Sequence, residues 1–164
     1  MKYRKVLFVC SGNLCRSPMA EAIFEDMIRN DGGAQSAGIR AQSAGTWDLG
    51  CHKATDEAIE VMREKGLDIT SHRSRHIDED LVNWADVILV MEDEHRVYTL
   101  ARFPNARGKV HLLAELAGEE GEIADPMNCG IAGHRECADR LEFLVGAVVD
   151  RISTGKESQK WVRE

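Results

Sequence analysis

Short apolar runs alternate along this chain with segments whose apolar residues recur every three or four positions. Val6-Leu7-Phe8-Val9 and Val87-Ile88-Leu89-Val90-Met91 are continuous and rich in branched residues, the pattern of strands buried on both faces. Strands are predicted over residues 5–9 and 87–91, with weaker ones around Gln42-Ser43-Ala44 and over 109–113. Between them the period lengthens. Met19, Ala22, Ile23 and Met27 predict a helix with Ser17 as N-cap and Pro18 at its first position, running to Arg29 and stopped by Asp31-Gly32-Gly33. Further helices are predicted over 55–65, ended by Gly66, over 79–83, over 92–102, closed by Pro104, and over 135–151 as a long amphipathic segment.

Strands alternating with helices predict an α/β fold: a twisted four-stranded parallel sheet with helices on both faces. No Pro- or Gly-rich linker divides the 164 residues. One domain is expected over 1–152, followed by a polar tail over 153–164 that frays. The related stretches Ala34-Gln35-Ser36-Ala37-Gly38 and Ala41-Gln42-Ser43-Ala44-Gly45 read as one loop and one strand, not as a repeat architecture.

Charge narrows the partners. A net charge of −7 disfavours binding to nucleic acid or an anionic membrane, both of which call for a basic surface. No apolar run is long enough to span a bilayer, and Val6–Val9 is too short for the core of a signal peptide, so a cytoplasmic protein is expected. Five Cys is an odd count, which predicts free thiols rather than a disulfide framework.

Ligands of open parallel sheets bind beyond the carboxyl ends of the strands. After the first strand the chain reads Val9-Cys10-Ser11-Gly12-Asn13-Leu14-Cys15-Arg16-Ser17-Pro18. Ser11, Gly12, Asn13, Leu14, Cys15 and Ser17 are candidates to line a concavity of backbone N–H groups, a nest for an anion. The helix behind it adds the positive end of its dipole. Arg16 supplies a planar fork that grips two phosphate oxygens. The same field favours a thiolate at Cys10. The loop is therefore expected to bind phosphate and to present a nucleophile to its phosphorus. Cys129 and Arg135 repeat the spacing of Cys10 and Arg16, but that cysteine follows Asp125-Pro126-Met127-Asn128 rather than an apolar strand, and Glu136 after the arginine would repel phosphate.

From Val9 to Phe24, and again at Ser43-Ala44-Gly45-Thr46 and Asp125-Pro126, the chain resembles the low-molecular-weight protein-tyrosine-phosphatase family, in the right order over nearly its whole length. The resemblance implies a cysteine-dependent protein phosphatase working through a phosphocysteine, without metal or other cofactor. Its partners would be a phosphorylated protein and the inorganic phosphate released. Cys10 would be the nucleophile and Arg16 the phosphate ligand. Asp125 would protonate the leaving group and then serve as base for the hydrolytic water. Asn13 would hold the loop in a left-handed turn, Ser17 would hydrogen-bond the departing thiolate, and Ser43 and His72 would brace the loop. Cys15 would close a reversible disulfide with Cys10. Cys129, His134 and Cys137, with Cys51 or His52, have no standard zinc spacing and are read as packing residues.

Two departures bear on the substrate. Met127 and Asn128, not aromatic residues, follow Asp125-Pro126, so Trp47 is the candidate wall for a phenyl ring. Ser11 stands where arginine-directed relatives carry Thr, which keeps a protein-arginine phosphatase as the alternative. A thiol-dependent arsenate reductase would need two further redox cysteines, and residues 77–100 contain none. A non-catalytic phosphate-binding module would lack the nucleophile or the acid, and both are present.

Overall fold

The computed structural model describes residues 3–32 and 36–155. Strands β1 (Lys5–Cys10), β2 (Arg40–Gly45), β3 (Val87–Val90) and β4 (Val110–Leu112) form one sheet in the order β2-β1-β3-β4. Every pairing is parallel, with Cys10 opposite Gly45, Val9 opposite Val90, and Val90 opposite Leu112. Side chains alternate across the strands. Val6, Phe8, Cys10, Val87 and Leu89 join one core, and Leu7, Val9, Ile88 and Val90 join the other.

The helices are α1 (Arg16–Asp31), α2 (Asp56–Glu64), α3 (Glu79–Trp84), α4 (Asp93–Arg102), α5 (Leu113–Ala117) and α6 (Gly130–Thr154). The first core takes its cover from α1, α2, α5 and α6, and the second from α3 and α4. Phe8 meets Phe24 of α1 edge-on at 5.6 Å, the favourable arrangement for two rings. Leu141, Leu144, Val145 and Val148 form the fully buried stripe of α6, at the spacing that turns one helical face inward. The expected α/β architecture with helices on both faces is present.

The differences from the predicted elements are local. Ser17 is not the N-cap of α1. The helix starts one residue earlier, at Arg16, with Cys15 at the cap and no side-chain cap bond. The Ser17 hydroxyl is engaged elsewhere, so the first turn keeps open amide groups. Helix α6 begins at Gly130 rather than Arg135, because Gly130 and Gly133 interrupt the apolar period without interrupting the helix. It also continues through Thr154, past the expected start of the tail, and the tail from residue 156 lies outside the described residues. The five-residue α5 was not predicted, its Leu113 having been assigned to the preceding strand.

Successive strands pass from β1 outward to β2 and then to β3 on the other side of β1. The carboxyl ends of β1 and β3 thus flank a topological switch point, where such sheets bind ligands. The loop leaving β1 lies flat on the end of β2. Thr46 N–H donates to the Cys10 carbonyl and Trp47 N–H to the Ser11 carbonyl, both at 2.9 Å. A Cβ on Gly45 would stand 2.5 Å from the Ser11 carbonyl oxygen and 3.0 Å from the Asn13 nitrogen. Gly45 is fixed in a paired strand and the Ser11 carbonyl is held by Trp47 N–H, so neither yields cheaply. Gly45→Ala is therefore expected to lose about 1–3 kcal/mol of stability, read as a lower midpoint in urea with an unchanged slope; an unchanged midpoint would show that the loop moves aside freely.

Candidate active site

Cys10 ends β1 at the floor of the loop, and its side chain is almost fully buried. Asn13 sits at φ 57°, in the left-handed region, which Asn tolerates better than most residues. Its amide holds the turn. Nδ2 donates to Ser17 Oγ at 2.7 Å and to Ser43 Oγ at 3.0 Å, and Oδ1 accepts from Arg75 N–H at 3.0 Å. His72 Nε2 donates to the Asn13 carbonyl at 2.8 Å. Burial lowers the His72 pKa, which favours a neutral ring. Arg75 also reaches back, from Nε to the Ser43 carbonyl at 3.0 Å.

Ser17 Oγ lies 3.0 Å from Cys10 Sγ. Because it accepts from Asn13, it keeps its own hydrogen to donate, with the sulfur at 3.0 Å and the Ala44 carbonyl at 3.4 Å as acceptors. Ser43 in turn donates to Glu21, whose pKa burial raises. A chain of hydrogen bonds thus runs from Glu21 through Ser43, Asn13 and Ser17 to the Cys10 thiol.

Arg16 is 2% exposed. Nη1 donates to the Glu92 carboxylate and, at 2.8 Å, to the Ile123 carbonyl. Nη2 lies 3.3 Å from Ser11 Oγ and 3.6 Å from Asp125 Oδ2. Burial alone would lower the guanidinium pKa; Cys10, Glu92 and Asp125 outweigh it, and the pKa is raised. Ile123 N–H donates to the Met91 carbonyl at 2.9 Å, which ties the segment carrying Asp125 to the end of β3. Asp125 Oδ1 accepts from Met127 N–H at 3.0 Å. Cys10, Gly12, Leu14, Cys15, Arg16, Asp125, Trp47 and Met127 line one small cavity. Trp47, Leu49 and Met127 are exposed, giving this part of the surface an apolar character.

Cys15 also lines this cavity, but its thiol has partners on other elements. Its Sγ is 3.2 Å from Thr55 Oγ1 and 3.6 Å from His134 Nε2. Burial pushes its pKa up to about 11. Cys137 is likewise pushed up to about 12 by burial, while Cys51 and Cys129 are exposed; all five thiols are free. Among the described residues, Glu92, Glu94 and His95 bring three possible metal-ligating atoms within 4.8 Å of one another. Glu92 is paired with Arg16 and both ring nitrogens of His95 have protein partners, so this group is poorly suited to an ion. His134 has its Nδ1 on the Gly130 carbonyl, and the Cys129–His134–Cys137 segment forms no metal cluster among the described residues.

The sequence-predicted residues Cys10, Ser11, Asn13, Arg16, Ser17, Ser43, His72, Trp47 and Asp125 all meet at or directly behind this cavity. Glu92, His95, Glu21, Arg75 and the Ile123 carbonyl were not predicted. Glu92 carried a signal: it follows β3, the strand beside β1, at the same carboxyl edge.

A cysteine beneath a loop of amides, a buried arginine turned toward it and an aspartate across the opening make a constellation for transferring a phosphoryl group through sulfur. Known proteins resemble this chain along most of its length. A family profile described as low molecular weight phosphotyrosine protein phosphatase matches residues 5–159. A protein-arginine-phosphatase of Geobacillus stearothermophilus is 36% identical over 94% of this chain and 99% of the relative. A probable low molecular weight protein-tyrosine-phosphatase, EpsP, of Ralstonia nicotianae is 35% identical over 91% of this chain and 96% of the relative. The solved structure of a YwlE arginine phosphatase mutant with a phosphorylated active-site serine superposes with a TM-score of 0.84 and 31% identity, over 96% of this chain and 99% of that one. With the profile matched almost end to end, this chain belongs to the low molecular weight phosphotyrosine protein phosphatase family and is a phosphatase of proteins.

Proposed function

We propose that this protein hydrolyses phosphotyrosine on proteins through a phosphocysteine at Cys10. The observation that carries the reading is the convergence of Cys10, Arg16 and Asp125 on one cavity, with Arg16 Nη2 3.6 Å from Asp125 Oδ2. Cys10 Sγ attacks phosphorus, forming the S–P bond as the bond to the phenolic oxygen breaks. Asp125 gives that oxygen its proton. Arg16 and the amides of Ser11, Gly12, Asn13, Leu14 and Cys15 carry the charge on the equatorial oxygens, where fixed donors are most effective. Asp125, now a carboxylate, takes a proton from the water that attacks the phosphocysteine. Inorganic phosphate leaves and Cys10 returns as thiolate, stabilised by the Ser17 hydroxyl.

The exposed rings and chains of Trp47, Leu49 and Met127 favour an aryl group. Among the residues lining the cavity, Asp125 is the one carboxylate that could meet a guanidinium. A second reading, phosphoarginine, draws support from the arginine-directed relative and from the small hydroxyl residue Ser11. We also place the protein in a reducing compartment, the cytoplasm, on the strength of five free thiols. Nucleic acid is not among the proposed partners, given the net charge of −7. Among the described residues no helix is long and apolar enough to cross a membrane.

Phosphate release from a phosphotyrosine peptide and a phosphoarginine peptide, with Cys10→Ser as blank, separates the readings. Faster turnover of the tyrosine peptide is expected; a preference for arginine would overturn the substrate, and no release above blank from either would overturn the enzyme. Asp125→Asn is expected to lower kcat on the tyrosine peptide by about 10²–10⁴-fold, and a loss under threefold would remove Asp125 from the acid role. Iodoacetate followed by peptide mapping should show phosphate protecting Cys10 while the exposed Cys51 and Cys129 react as before; equal protection everywhere, or none at Cys10, contradicts a phosphate seated over that thiol.

A further inference from the structure

His95 has no part in the reaction as described, yet its side chain is 1% exposed and both ring nitrogens are engaged. Glu92 N–H donates to Nδ1 at 3.0 Å. Nδ1 therefore holds a lone pair, which puts the proton of the neutral ring on Nε2. Nε2 lies 2.8 Å from Ser11 Oγ, a residue 84 positions away in the chain. The exposed Glu94 carboxylate is 3.7 Å from the same nitrogen, beyond hydrogen-bond reach. His95 thus donates to Ser11.

Arg16 Nη2 donates to that oxygen as well, at 3.3 Å. A serine hydroxyl has two lone pairs and one hydrogen. With both lone pairs receiving protein donors, the hydrogen is what remains to be placed. A hydroxyl free to rotate could turn a lone pair toward a phosphoryl oxygen and repel it. This one is held against doing so. Burial, with the charge of Arg16 nearby, lowers the His95 pKa to about 4, so the neutral ring persists at ordinary pH.

We propose that His95 is a positioning residue that fixes the Ser11 hydroxyl as a donor to a phosphoryl oxygen of the substrate, adding a side-chain ligand to the backbone amides of the loop. This rests on the phosphatase reading above. The bland alternative is that His95 only caps α4 through Nδ1. The two arms are separable. Asn at position 95 keeps an acceptor near the Glu92 amide and is too short to reach Ser11.

The test is a double-mutant cycle on the full chain, with para-nitrophenyl phosphate as substrate. Ser11→Ala and His95→Asn are each expected to lower kcat/KM by about ten- to hundredfold, as for a hydrogen bond to a charged group. The double variant should be no slower than Ser11→Ala alone. Losses that multiply, or a His95→Asn enzyme as fast as the wild type, would overturn the proposal. Nitrogen-15 shifts of the native His95 ring provide a readout that needs no variant: a proton on Nε2 is expected, and one on Nδ1 would overturn it. If the wild type does not exceed the Cys10→Ser blank, it is the phosphatase reading that has failed. The same four proteins then carry the cycle through their Kd for inorganic phosphate, where non-additive weakening is expected and additive weakening overturns the proposal.

Discussion

The left-handed turn at Asn13 is the constraint around which the site is built. A positive φ costs an ordinary residue about 1–2 kcal/mol, and here it bends the chain so that Gly12, Leu14 and Cys15 line a cavity with Cys10 instead of running on from β1. The Asn13 amide offsets that cost. It reaches Ser17 on α1, Ser43 on β2 and the Arg75 amide beside β2, so three separate elements hold one turn. Gly45 allows it from below, since any Cβ there would strike the loop backbone. Asn13 also leaves the Ser17 hydrogen to be shared between the thiol and the Ala44 carbonyl. Shape and thiol environment are therefore set by the same hydrogen bonds.

Arg16 poses the complementary problem. A guanidinium at 2% exposure has lost its water, a penalty of several kcal/mol before compensation. Glu92 and the Ile123 carbonyl compensate on Nη1, leaving Nη2 directed toward Ser11 and Asp125. The arrangement holds the fork before any ligand arrives, and such preorganisation is what makes fixed charges effective on a reacting group. It also makes the ends of β1 and β3 interdependent. The Ile123 amide hangs on the Met91 carbonyl, and its own carbonyl holds Arg16. A shift at the end of β3 would move the arginine and the aspartate together.

How much of this the sequence revealed depended on distance along the chain. The apolar runs at Val6–Val9 and Val87–Met91 gave the buried strands, and the loop from Cys10 to Ser17 is one continuous segment whose chemistry could be read as written. Ser17-Pro18 misled for a physical reason. It has the form of an N-cap pair, but the hydroxyl is drawn to Cys10 and Asn13, and the helix starts uncapped one residue earlier. Glu92 and His95 escaped because their partners, Arg16 and Ser11, lie 76 and 84 residues away. Only the pairing of β1 with β3 puts them together. Their local signal was that of helix-start residues, which they also are.

Cys10 and Cys15 belong to one loop, and Arg16 adjoins Cys15, so proximity in sequence would give both thiols the same field. The fold separates them by side-chain direction. Cys15 lies against Thr55 and His134, where burial dominates and pushes its pKa up to about 11 despite the opposing effect of Arg16. Cys10 turns to the Ser17 hydroxyl at the cavity floor. A motif of spacing therefore does not by itself select the reactive sulfur. What distinguishes the two sulfurs is their partners, the Ser17 hydroxyl for Cys10 and Thr55 with His134 for Cys15, and that depends on the turn Asn13 imposes between them.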